Sequence, residues 1–140
     1  MKTNRKILLI VITLLIAFAG CKKYPDGPTI SLTPKKWRLD GTWKIEQVLV
    51  NGQDVTTSYT SLFPNYTMEL NSNNSYTKSY GGSSADVGTW AWNDSKKYLL
   101  MTPNSSSTAT NFEILKLKHN ALWLSETDGN DVTETHYVPN

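Results

Sequence analysis

From Gly41 onward the sequence is a succession of short runs rich in Val, Ile, Thr, Tyr and Trp, each closed by a cluster of Gly, Asn, Asp or Ser. The runs are Thr42–Val50, Tyr66–Asn71, Ser75–Tyr80, Gly88–Asn93, Tyr98–Thr102, Asn111–Lys118, Ala121–Ser125 and Val132–Val138. Between them lie turn-forming clusters at 71–74, 81–84, 93–97, 104–108, 119–120 and 128–131. Such punctuation predicts an all-β antiparallel meander. Tyr66, Met68 and Leu70 alternate with Thr67, Glu69 and Asn71, as a strand with one buried face requires. His119-Asn120 is short enough for a two-residue hairpin, with Asn able to take the left-handed conformation. Eight runs without a long helix favour closure into a barrel, which removes both exposed edges; an open sandwich competes.

Three stretches depart from this rhythm. Residues 51–64 form one long connection carrying Asn51-Gly52 and then Tyr59, Leu62 and Phe63, which predicts a structured flap able to face inward and gate a barrel mouth. In 111–118, Phe112 and Ile114 share one face while Leu115 and Leu117 share the other; Lys116 and Lys118 favour a bulge after Ile114. Thr33-Pro34 reads as an N-cap with proline in the first helical position, giving a short turn through Asp40 that ends at Gly41 and buries Trp37 and Leu39.

The amino-terminal segment sets the expected address. Lys2, Arg5 and Lys6 precede an apolar run, Ile7–Gly20, that matches a secretion signal and is short for a membrane span. It ends Phe18-Ala19-Gly20-Cys21, where small residues precede the chain's single cysteine. The expected organisation is a signal peptide over 1–20, a lipidated tether and short turn over 21–40, and one β domain over 41–140. Lipid on Cys21 leaves no thiol for a disulfide, a nucleophile or a metal. Of 14 basic and 12 acidic residues, three basic ones belong to the signal, so the mature chain holds 11 against 12 and no basic excess to suggest nucleic acid as partner.

The Ala19-Gly20-Cys21 box resembles the bacterial lipobox. Gly41-Thr42-Trp43 after a short helical turn resembles the entry of the lipocalin fold. With Cys21–Pro28, Ile30-Ser31-Leu32, Gly88-Thr89-Trp90 before a Lys-rich turn, Ile114–Leu117 and Thr135-His136-Tyr137, nearly the whole mature chain is similar to the small lipocalin-like lipoproteins of Bacteroidota. That resemblance implies a single eight-stranded antiparallel up-and-down barrel with Trp43 plugging its closed end. It supplies no reaction. Lys22 after the cysteine, in place of an inner-membrane retention aspartate, points to the outer membrane, periplasm-facing.

Candidate sites are few. Trp90 and Trp92 share a strand face and could stack a sugar or an apolar ligand, although aromatics on such a face are more often core. Trp123, flanked by Leu122 and Leu124, is expected in the core. His136 and Glu134 share a face, but two ligands do not make a closed metal site, and no cofactor is expected. The chain has neither a Gly-x-Ser-x-Gly elbow nor a phosphate loop, and of its acids only Glu46 and Glu113 lie inside the runs where burial would matter. The expected function is non-catalytic binding of a small apolar or amphipathic molecule in the barrel, with Tyr59, Phe63, Trp90 and Trp92 as candidate contacts. The alternatives are a glycan- or protein-binding module using exposed aromatics, or an inhibitor of a periplasmic hydrolase.

Overall fold

The computed structural model describes residues 24–25 and 33–140; the expected signal segment, Cys21 and most of the tether lie outside the described residues. A short helix, α1 (Lys35–Leu39), leads into β1 (Gly41–Val50). A two-residue strand β2 (Gln53–Asp54) and a second helix α2 (Thr56–Leu62) follow. The chain then runs through β3 (Thr67–Leu70), β4 (Ser75–Tyr80), β5 (Ser83–Trp92), β6 (Tyr98–Pro103), β7 (Thr110–Lys118), β8 (Ala121–Asp128) and β9 (Asp131–Pro139). Consecutive strands pair antiparallel, and β9 returns to β1. The result is a closed eight-stranded up-and-down barrel, with β2 a short hairpin annex of β1. Closure leaves none of the eight long strands with an unpaired edge.

Turn chemistry and bulges set the register. Asn51-Gly52 and Gly81-Gly82 take positive φ at both positions, the conformation that two-residue hairpins need. Gly81-Gly82 is therefore the whole turn, and Ser83-Ser84, read from sequence as part of the connection, instead begins β5. His119-Asn120 closes β7 onto β8 as expected but without a positive φ at either residue. The β7–β8 register shifts between Ile114 and Lys116, so Leu115 is the extra residue. That bulge lets Ile114 and Leu117 both point inward, resolving the conflict in the sequence pattern. Similar shifts occur at Ile45/Gln47 on β1 and opposite Lys78/Ser79, where Ala85 is extra on β5.

The core fills the end of the barrel beneath α1. Leu39, Leu70, Leu99, Leu117 and Leu122 are fully buried there, each contributing about 1.5–3 kcal/mol by its removal from water. Trp43 sits in the plug position with Nε1 donating to the Leu39 carbonyl at 2.9 Å, which joins helix to barrel. Three local expectations fail here. Thr33 makes no cap, because α1 begins at Lys35 with Pro34 before it. That phase turns Arg38 and Leu39 inward and leaves Trp37 71% exposed. Trp123 faces outward: it pairs with His136 across β8–β9, stacks on that imidazole at 3.8 Å, and carries the Lys116 ammonium over its ring. Leu122 and Leu124 take the inward positions instead.

Candidate functional site

The barrel's other end is the mouth, where β1, β4, β6 and β8 finish. Inward positions there are not uniformly apolar. On β4 the parity Tyr76, Lys78, Tyr80 puts an ammonium between two phenols, and on β8 the parity Leu122, Leu124, Glu126 ends in a carboxylate. Asp86, inward on β5, accepts the Tyr76 hydroxyl at 2.9 Å and lies 3.9 Å from Lys78 Nζ. Of these groups Lys78, Leu124 and Glu126 line a cavity of about 90 Å³, with Asp86 held beside it through Lys78. Met68, Met101, Phe112 and Leu124 form its apolar floor. Lys78, Glu126, Thr133, Thr135, Tyr59 and Tyr137 supply the polar walls.

Burial perturbs these groups in the direction physics requires. Desolvation lowers the Lys78 ammonium, and the carboxylates of Asp86 and Glu126 pull it back up. Burial raises the Tyr59, Tyr66 and Tyr137 phenols, with the Glu126 charge adding to Tyr59 and Tyr137. Lys78 also lies 5.6 Å from the Tyr76 ring centre and 5.4 Å from that of Phe112, so its charge is held by π faces as well as by acid.

Residues 51–64 cross the mouth as a strap fixed at both ends. At one end Asn51 bonds Val132 through backbone and side chain and also Asp131 Oδ1. At the other the Gly81 amide donates to the Pro64 carbonyl at 2.7 Å. The Asp54 carboxylate accepts the Gln47 side-chain amide and then the Thr56 hydroxyl and backbone amide, which lowers it to about 2, and the Thr56 bonds fix the first turn of α2. One helical turn apart, Tyr59 and Phe63 pack with ring centres 4.8 Å apart, and Phe63 meets Tyr80 edge-on. Leu62, between these two rings in sequence, is 73% exposed, against the expectation that it faces inward.

The candidate residues therefore divide between the two ends. Tyr59 lines the cavity and Phe63 braces it from the strap. Trp90 and Trp92 pack edge-to-face toward the closed end; Trp90 is buried and donates from Nε1 to the Asn71 carbonyl. Tyr76 is buried too, so Tyr59, Tyr76, Tyr80, Trp90 and Trp92 form no contiguous exposed patch. The internal charges at Lys78, Asp86 and Glu126 went unread in the sequence; the signal was a charged residue at a parity otherwise apolar. Glu46 is exposed and Glu113 half-buried. No group of three or more His, Cys, Asp or Glu converges to hold a metal among the described residues.

The chain matches no protein-family profile and no curated protein sequence. Among solved structures it is similar to a DUF4847 family protein from Bacteroides vulgatus, at 12% identity and a TM-score of 0.49, covering 73% of this chain and 94% of that one. A likeness at this level carries no functional argument; the barrel is established by the strand pairing above.

Proposed function

We propose that the protein is a non-catalytic binding module of the cell envelope, held to the outer membrane by lipid on Cys21. On this reading it takes a small amphipathic molecule under the strap at the barrel mouth. The observation that carries the reading is a lysine and a glutamate, Lys78 and Glu126, lining a cavity with an apolar floor beneath a strap anchored at both ends, with Asp86 beside Lys78. Burying such groups costs stability unless they are paired, and Lys78 alone cannot neutralise both Asp86 and Glu126. The surplus carboxylate favours a ligand with a cationic or hydrogen-bond-donating head, its apolar part resting on Met68 and Met101.

Size restricts the ligand. At about 90 Å³ the cavity is smaller than the ~150 Å³ that holds a benzene and well below the ~300–1,000 Å³ of drug-sized sites. A long acyl chain does not fit, so a wholly apolar lipid is disfavoured relative to a compact amphipath. The test is native mass spectrometry on protein purified from its own host, compared with a variant in which 52–63 is shortened to a tight hairpin. The wild type is expected to carry a small molecule that the folded variant releases. Ligand-free wild type, or equal retention by the variant, would overturn the reading. A variant that unfolds would show the strap to be core, ending its role as a gate.

A further inference from the structure

The closed end of the barrel carries a second surface, unlike the mouth in charge. Lys35 and Lys36 on α1, Lys96 and Lys97 in the β5–β6 turn, and Lys118 at the end of β7 collect there, against Asp40 and Asp94. The mouth loops, residues 51–66, 81–84, 104–109 and 129–130, contain no lysine or arginine. With Asp54, Asp128 and Asp131 around the mouth, a mature chain of nearly balanced charge thus carries its exposed basic cluster at the closed end. Trp37 projects from α1 at the basic end, 71% exposed, although an indole is among the costliest side chains to leave in water.

Tyr24 ties the tether to the same end. Its ring is buried, its hydroxyl donates to the Lys96 carbonyl at 3.1 Å, and the Lys35 ammonium lies over it at 5.4 Å. Three residues span at most ~11 Å even when fully extended, so a lipid anchor on Cys21 would hold this end of the barrel near the bilayer. Lysines attract anionic headgroups, and an exposed tryptophan beside them suits the water–lipid boundary.

We propose that this closed end rests on a bilayer surface of anionic lipid headgroups, with Trp37 at headgroup depth, so that the mouth opens away from the membrane. The inference takes the position of Cys21 from the lipid-anchor reading; the charge pattern and Trp37 are independent of it.

The experiment uses lipidated protein reconstituted into vesicles of phosphatidylcholine alone or with one-third phosphatidylglycerol, some bearing acyl-brominated lipid as a quencher. Part of the tryptophan emission is expected to be quenched on the anionic vesicles. Trp37→Phe should remove that component, and combined Lys36→Glu, Lys96→Glu and Lys97→Glu should abolish it. Quenching that is absent, survives Trp37→Phe or ignores headgroup charge overturns the proposal. A second arm uses the chain from residue 21 with Cys21→Ala, which keeps every described residue. It should float with anionic but not neutral vesicles at low salt, about fivefold more weakly for each lysine removed. Charge-dependent flotation of this chain, together with absence of acyl label on wild-type Cys21, would sustain the basic surface while ending the anchor reading. Failure to float with either vesicle ends the docking proposal.

Discussion

Gly88→Ala is expected to destabilise the barrel by about 3 kcal/mol or more, the upper range for overpacking a closed core. A Cβ at this position would meet the Thr102 carbonyl oxygen at 2.1 Å, the Tyr76 ring at 2.8 Å and the Pro103 Cα at 2.9 Å. Two of those three atoms are backbone of the paired strand, so neither can swing aside as a side-chain tip would. The glycine is required for space, since its φ is not positive. Opening the β5–β6 ladder to admit a methyl would also disturb the Tyr76–Asp86 bond on the way to the cavity. Urea unfolding of the variant measures the loss. A midpoint within experimental error of wild type would show that the two strands do not pack as closely as described.

Trp90→Ala should cost about 3–5 kcal/mol, a large part of the ~5–15 kcal/mol that holds a domain of this size together. The indole is 2% exposed, packs edge-on against Trp92 with ring centres 5.8 Å apart, and satisfies the Asn71 carbonyl. Truncation leaves a cavity and removes one of the two donors to that carbonyl, the Asn74 amide being the other. Trp90→Phe keeps much of the volume and loses the hydrogen bond, so its cost should be markedly smaller. The same denaturation experiment separates the two variants. Near-wild-type stability of Trp90→Ala would return this residue to the list of ligand contacts.

Much of the fold was legible because the strand alternation and the turns agreed. All eight runs became barrel strands, and the conflict between Phe112–Ile114 and Leu115–Leu117 could be read as a bulge before its geometry was known. What failed depended on phase. A one-residue change in where α1 begins moved Trp37 from the expected core to solvent. With apolar neighbours on both sides, Trp123 could be placed on either face until Leu122 and Leu124 were seen to fill the interior. The site was harder still. Lys78 and Glu126 lie on the inward parity of their strands, but a charge at such a position reads as solvated until the barrel is closed over it. Asp86 was hidden further by the Ala85 bulge, in a stretch that resembled a loop. Tyr59 and Phe63 were recoverable because a long connection with its own aromatics had to pack somewhere.

If the cavity beneath the strap is a binding site, the protein carries its own reporters of occupancy there. Of three methionines, Met1 belongs to the expected signal segment, while Met68 and Met101 both line the cavity. Methyl NMR of protein labelled with [13C-methyl]methionine, titrated with a panel of short amphipathic amines and related small molecules, reads occupancy directly. Both resonances should shift together and saturably for a cognate class, with the response lost in Glu126→Gln and weakened in the shortened-strap variant. If neither methyl responds to any member of the panel, or if Glu126→Gln leaves the response intact, the cavity is a pocket of trapped solvent and the binding account is wrong.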